Sequence, residues 1–127
     1  DRPCEFPRAD DRLTGRPARH GWVTCTPGDR RPDAGGSIVV YDLVADGTVE
    51  HHFGPGRVPA EAVFAPADDR PGGPGWLLTF VYDAVRDASD LVVLDADDAA
   101  APPVATIPLP VRVPFGFHGS WLADDAS

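Results

Sequence analysis

Methionine, lysine, asparagine and glutamine are all absent from this 127-residue chain, and it has only two cysteines. Without lysine, each of the 11 basic side chains is an arginine, set against 20 acidic residues. The resulting net charge of −9 excludes a nucleic-acid or anionic-membrane surface, because both need clustered positive charge and only Arg30 and Arg31 are adjacent. No apolar run approaches a membrane span, and the first residues carry no charged-then-apolar signal pattern. A soluble, cytoplasmic protein is the expectation. Cys4 and Cys25 are too few for a disulfide framework and lack the spacing of a zinc site, so they are expected to be reduced and incidental. The missing residue types, with Ala, Arg, Gly, Pro and Asp in excess, fit the codon bias of a GC-rich genome. With no Met, and with an abrupt opening in patterned sequence, the chain is expected to be a C-terminal piece of a longer polypeptide.

Helical periodicity is missing as well, because 15 prolines and 13 glycines interrupt every window in which an apolar 3.6-residue pattern could build. What remains is short β-rich runs. After Glu5-Phe6-Pro7, strands are expected near 20–25, 37–43, 48–53, 61–65, 76–82, 90–94, 104–109 and 117–122. Asp46-Gly47 supplies a tight hairpin between the second and third of these. Polar, Pro- and Gly-containing loops are expected at 28–36 and 68–75.

The two halves repeat. After Glu5 come Trp22, Val39-Val40-Tyr41-Asp42-Leu43 and Val49-Glu50-His51-His52-Phe53; after Glu61 come Trp76, Val92-Val93-Leu94-Asp95-Ala96 and Val104-Ala105-Thr106-Ile107. Four strands in some fifty-odd residues is the signature of a β-propeller blade. The fold class expected is therefore all-β, with blade-like repeats at 1–56 and 57–113 and a closing inner strand at 114–122. Glu5, Glu61 and His118 would begin three successive innermost strands and converge on the axial channel. Two blades and a stub leave open sheet edges, so this stretch made alone is expected to aggregate or stay poorly ordered.

His118 lies in an apolar stretch, Val111 to Trp121, where an unpaired imidazole is costly to bury, so it needs a metal ion or a carboxylate as partner. Two glutamates recur at the same phase of the repeat. A carboxylate holding one ring nitrogen while the other nitrogen binds metal accounts for both residue types. The rivals are a core histidine satisfied by a backbone carbonyl, a Glu5–Glu61 acid–base pair, and structural ion pairs of these glutamates with Arg8 or Arg57. Other candidates are weaker. His51 and His52 point to opposite faces of one strand, His20 opens a strand, and the pairs Asp68-Asp69, Asp97-Asp98 and Asp124-Asp125 sit in turns without the spacing of a calcium loop. Cys25 and His20 face opposite ways along a strand and make a poor nucleophile pair. The glycines of Pro71-Gly72-Gly73-Pro74-Gly75 alternate with prolines that remove the N–H donors a phosphate loop needs.

Four segments, in order, resemble the C-terminal part of the carotenoid cleavage oxygenase family, which includes lignostilbene dioxygenases and the retinal pigment epithelium isomerase. They are Glu5-Phe6-Pro7-Arg8; Gly54-Pro55-Gly56-Arg57 with Glu61-Ala62-Val63-Phe64; Gly75-Trp76-Leu77-Leu78-Thr79 through Ser89 to Asp95; and Val113-Pro114-Phe115-Gly116-Phe117-His118-Gly119. The resemblance implies a seven-bladed propeller with Fe(II) held on its axis by four histidines, His118 being the last. Glu5 and Glu61 match two glutamates that support ligand histidines, which implies a hydrogen bond from Glu61 to the other nitrogen of His118. Glu5 would support a histidine preceding this chain. The family has proline after the second glutamate, where this chain has Ala62.

The implied reaction is O2-dependent scission of a conjugated double bond in a carotenoid, apocarotenoid or stilbene, giving two carbonyl products, with Phe115 and Phe117 lining or supporting the tunnel. The implied partners are an apolar polyene or stilbene, O2 and the N-terminal remainder of the same propeller, with room for peripheral membrane contact by the parent protein. The fragment alone is expected to be inactive. The competing readings are a non-catalytic β-propeller binding scaffold, and an isomerase or hydrolase on the same scaffold.

Overall fold

Buried and exposed positions alternate with the period of two that a half-buried strand requires. Along Gly75–Asp83, Gly75, Leu77, Thr79 and Val81 are buried, while Trp76 and Phe80 between them are exposed. The structure, a computed structural model, describes residues 3–27 and 34–124. Most of the loop expected at 28–36, and Asp125, lie outside these residues. The strands are β1 (Cys4–Arg8), β2 (His20–Cys25), β3 (Ser37–Asp42), β4 (Gly47–His52), β5 (Arg57–Pro59), β6 (Val63–Pro66), β7 (Gly75–Asp83), β8 (Ala88–Asp95) and β9 (Ala105–Pro108). A 3-10 turn, Asp11–Leu13, is capped by Asp10, whose carboxylate accepts the Arg12 N–H at 3.0 Å.

The strands form two antiparallel sheets. The first runs β1-β2-β3-β4; the second runs β5-β7-β8-β9, with β6 also paired to β7. The β3–β4 hairpin turns through Asp46 at φ 54, the left-handed conformation that Asp tolerates. Every strand of each sheet is thus joined to its neighbour in order, and β5 and β6 together make one interrupted first strand of the second sheet.

Both first strands are irregular. In β1, Glu5 faces Thr24 and Arg8 faces Trp22, so Phe6 and Pro7 oppose the single residue Val23. Phe6 takes φ 55 at this bulge, a conformation non-glycine residues rarely adopt. Between β5 and β6, Pro59 faces Val81 and Val63 faces Leu78, so Ala60, Glu61 and Ala62 oppose only Thr79 and Phe80. This is again one residue too many, and it frees Glu61 from the ladder.

The core lies between the sheets. Trp22, Ile38 and Val40 of the first pack against Leu77, Val81, Val92 and Leu94 of the second, with Ala62 fully buried among them. The bulged segment is bound from both sides. Thr24 and Thr79 each donate to the Ala60 carbonyl at 3.0 Å, and the Trp22 indole N–H donates to the Ala62 carbonyl at 2.8 Å. Buried backbone that leaves its ladder needs such partners. Ala62, where a proline was expected from the resemblance, therefore has its carbonyl fixed by the neighbouring sheet.

Two expectations are corrected. Residues 114–122 do not form a closing strand: the segment is irregular, because among the described residues it meets no strand edge and is held instead by side chains. Cys4 and Cys25 are not reduced and incidental but form a disulfide. They are 21 residues apart in the chain, yet the β1–β2 register sets them directly opposite with Cα atoms 4.0 Å apart. That pairing depends on strand register, which cysteine spacing does not encode.

Three outcomes are expected. The denatured, unreduced protein should contain no titratable thiol from Cys4 or Cys25, and Cys25→Ser should lower stability by about 2–4 kcal/mol. Leu77→Ala, which empties a site fully buried between the sheets, should cost about 2–5 kcal/mol in denaturant unfolding.

Candidate functional site

Glu61 occupies the interruption between β5 and β6 and is only 7% exposed. A buried carboxylate must be saturated with donors to remain charged. It is: Oε2 accepts the Gly119 backbone N–H at 2.7 Å, and Oε1 accepts from Arg8 Nη1 at 3.0 Å and meets His118 Nδ1 at 3.1 Å. Burial pushes the Glu61 carboxyl up, but the Gly119 amide, the His118 ring and Arg8 outweigh it and hold the group below its ordinary range. The carboxylate and its partners come from three separate parts of the chain, namely the β5–β6 break, the end of β1 and the C-terminal segment.

Arg8 joins all three. The Nη1 that meets Glu61 also donates to the Gly119 carbonyl at 3.1 Å, and Nη2 donates to Asp11 at 2.7 Å. Burial works against the guanidinium charge, but Glu61 and Asp11 outweigh it and raise its pKa. Gly119 is packed closely as well: a Cβ there would sit 3.2 Å from Val63 Cγ2.

His118 is thereby fixed on one side only. Its Nδ1 is occupied by Glu61, the edge of Phe6 meets its ring with centroids 5.9 Å apart, and its side chain is still 74% exposed. With the Nδ1 proton donated to the carboxylate, the free lone pair lies on Nε2, which has no hydrogen-bond partner among the described residues. Chemically the arrangement offers one oriented imidazole nitrogen. Among the described residues no group of three or more His, Cys, Asp or Glu is placed to hold a metal ion.

Beside His118 lies a cavity of about 390 Å³ between the C-terminal segment and the outer face of β7 and β8. Its walls are mainly apolar, including Val58, Leu78, Phe80 and Leu91, with Phe115 and Phe117 on the C-terminal side. Phe117 is 80% exposed and Phe115 is 60% exposed. Phe115 packs edge-on to Tyr82, and Arg112 lies 4.8 Å from the Tyr82 ring centroid and 5.3 Å from that of Phe115. The segment leading here is anchored by Ser89, whose Oγ accepts the Val113 N–H at 3.0 Å.

The remaining sequence candidates do not join this site. Glu5, next to the β1 bulge, is exposed, and its side chain has no hydrogen bond among the described residues. Arg57 pairs with Asp83 and Asp90 rather than with either glutamate. His51 contacts the Ala99 carbonyl at 2.9 Å, His52 accepts the Gly54 N–H at 3.1 Å, and His20 lies 3.7 Å from Asp42. The ion pair of Arg8 with Glu61, one of the structural rivals for this glutamate, coexists with the His118 contact. Phe6 and the Gly119 amide were not read as part of the site. The only available signal was that Phe6 follows Glu5 and Gly119 follows His118.

Two antiparallel sheets in succession, each with a bulged first strand, define an all-β chain of the β-propeller kind, and solved propellers match it closely. Lignostilbene dioxygenase of Pseudomonas brassicacearum superposes with a TM-score of 0.83 at 30% identity, over 96% of this chain and 28% of that one. Cobalt-substituted Synechocystis ACO gives a TM-score of 0.82 at 32% identity, over 95% of this chain and 26% of that one. In sequence, the apocarotenoid-15,15'-oxygenase of Synechocystis is 36% identical over 124 residues, covering 94% of this chain and 25% of the relative. The family described as retinal pigment epithelial membrane protein matches residues 1–123. The chain belongs to that family of carotenoid, apocarotenoid and lignostilbene oxygenases. It spans about a quarter of the length of the relatives it matches.

Because the Glu61 carboxyl titrates lower in the fold than its ordinary value of 4.5, its contribution is complete above that pH and is lost as pH falls below it. The amide protection factor of Gly119 should therefore drop on acidification below about pH 4.5. In Glu61→Gln it should be lower by about 10- to 100-fold at neutral pH, the equivalent of a charge-assisted hydrogen bond, and flat across the same interval.

Proposed function

We propose that this chain is the C-terminal part of a seven-bladed β-propeller dioxygenase, in which His118 Nε2 is one of the ligands to an axial Fe(II). The observation that carries the reading is the Glu61–His118 contact at 3.1 Å, which leaves Nε2 as the available donor beside an apolar cavity. A carboxylate on the distal nitrogen of a ligand histidine fixes its tautomer and raises its basicity. The donor set fits one position of a histidine site, and the other ligands would come from the parts of the propeller that the matched relatives have and this chain does not include. The cobalt-substituted relative supports a divalent transition metal at such a centre.

When bound, iron would supply the redox chemistry that lets O2 react with an alkene. The roles of this chain's own residues are separate from that. Glu61 holds the Nδ1 proton and orients the ring. The apolar walls formed by Phe80, Leu91, Phe115 and Phe117 exclude water and take up a long conjugated substrate. Glu5, beside the β1 bulge, would support a second ligand histidine in the same way. The substrate class is a carotenoid, apocarotenoid or stilbene. Its double bond and one O2 become two carbonyl groups, with both oxygen atoms accounted for in the products. The names of the relatives support this class.

The full-length protein should contain stoichiometric iron and cleave an apocarotenoid or stilbene, and labelled O2 should mark both new carbonyls. His118→Ala should lose most of the iron and activity. Unchanged iron in that variant would remove His118 from the metal. A metal-free protein that binds polyenes without cleaving them would be a scaffold.

A further inference from the structure

The hydrogen bonds around Glu61 close into a ring. Oε2 accepts from the Gly119 amide, the Gly119 carbonyl accepts from Arg8 Nη1, and the same Nη1 donates to Oε1. His118 is the residue immediately before Gly119, and its Nδ1 meets the oxygen that Arg8 also holds. Resting on the reading of His118 as a metal ligand, we infer that Arg8 is a positioning residue for that histidine, acting through Glu61 and the Gly119 carbonyl.

Two physical effects follow from one guanidinium. Its geometry ties the carboxylate to the backbone next to His118, so ring and carboxylate move as one body rather than as an exposed side chain at the end of an irregular segment. Its charge also offsets part of the buried negative charge on Oε1, so the oxygen that faces the His118 ring is not an isolated anion. Arginine suits this role because its fork presents several donors in fixed directions, and here Nη2 is simultaneously anchored to Asp11. The side chain is 17% exposed, so the contact is partly shielded from solvent. The β1 bulge brings Phe6 against the His118 ring on the same strand, which gives β1 two contacts with the site.

The test uses the full-length protein, loaded with cobalt(II) in place of iron, and reads cobalt affinity and the visible absorption of the bound metal. Arg8→Gln should weaken cobalt binding by about 10- to 100-fold and shift the absorption at saturating cobalt. A purely structural tether would lower Tm but leave the saturated spectrum unchanged. Because Arg8 acts through Glu61, adding Arg8→Gln to Glu61→Gln should change affinity by less than about 3-fold further. If Arg8→Gln does not fold, Arg8→Lys carries the same test, since an ammonium keeps the charge but lacks the rigid fork. A spectrum and affinity matching the parent protein in the folded variant would overturn the inference. His118→Ala separates the two readings. Loss of cobalt there, with no effect at Arg8, defeats only the role of Arg8, whereas retained cobalt defeats the assignment of His118 itself.

Discussion

A carboxylate placed where water hardly reaches it organises this end of the molecule. Glu61 can stay charged only because an amide, a guanidinium and an imidazole converge on it, the guanidinium from β1 and the other two from adjacent residues of the C-terminal segment. The C-terminal segment has no strand partner among the described residues, so it takes its position largely from that carboxylate and from Ser89. The dependence runs both ways. Remove the donors and the charge is stranded; remove the charge and the segment carrying His118 loses its hold.

Glu61 can serve in this way because of a defect in the sheet. One extra residue between β5 and β6 takes Glu61 and Ala62 out of the ladder, while the Ala60 N–H still reaches the Phe80 carbonyl, and the Ala60 and Ala62 carbonyls are bound by Thr24, Thr79 and Trp22. Those donors come from both sheets. The bulge that frees the Glu61 carboxylate is therefore also a seam of the core, next to Leu77, Val81 and the fully buried Ala62. β1 repeats the device with Phe6 in a left-handed conformation, and the outcome is to direct Phe6 at the imidazole and Arg8 at the carboxylate. The Cys4–Cys25 bridge ties β1 to β2 at the other end of the strand that carries both residues.

The acidic composition has a local counterpart. Arginines are distributed among acidic partners: Arg12 on Asp10, Arg19 on Asp42, and Arg57 and Arg86 on the Asp83 and Asp90 pair. The cavity beside His118 is by contrast mainly apolar, with Glu61 and His118 at its border. An apolar cavity and a single oriented nitrogen therefore share one edge of the molecule, and the proposed chemistry on a hydrocarbon chain rests on that arrangement.

Residue order alone determined a good deal. Glycine and proline spacing with alternating apolar residues marked nearly all the strands, since a half-buried strand writes its period directly into the chain. The recurrence of glutamate at the head of each repeat, together with Pro-Phe-Gly-Phe-His-Gly, singled out Glu5, Glu61 and His118, and the resemblance to the family paired Glu61 with His118. What the tertiary structure alone decided were contacts between residues remote in sequence and the register that creates them. Cys4 faces Cys25 because of how β1 lies on β2. Arg57–Pro59 is a strand because it continues across a break. Residues 117–122 are not one, because an apolar run has no strand without an edge to pair with. Arg8 reaches both Glu61 and Gly119 because two sheets and a terminal segment meet there. Periodicity is a local property that neighbouring residues can encode, whereas register, pairing and the sharing of one oxygen between two donors exist only once distant segments have packed together.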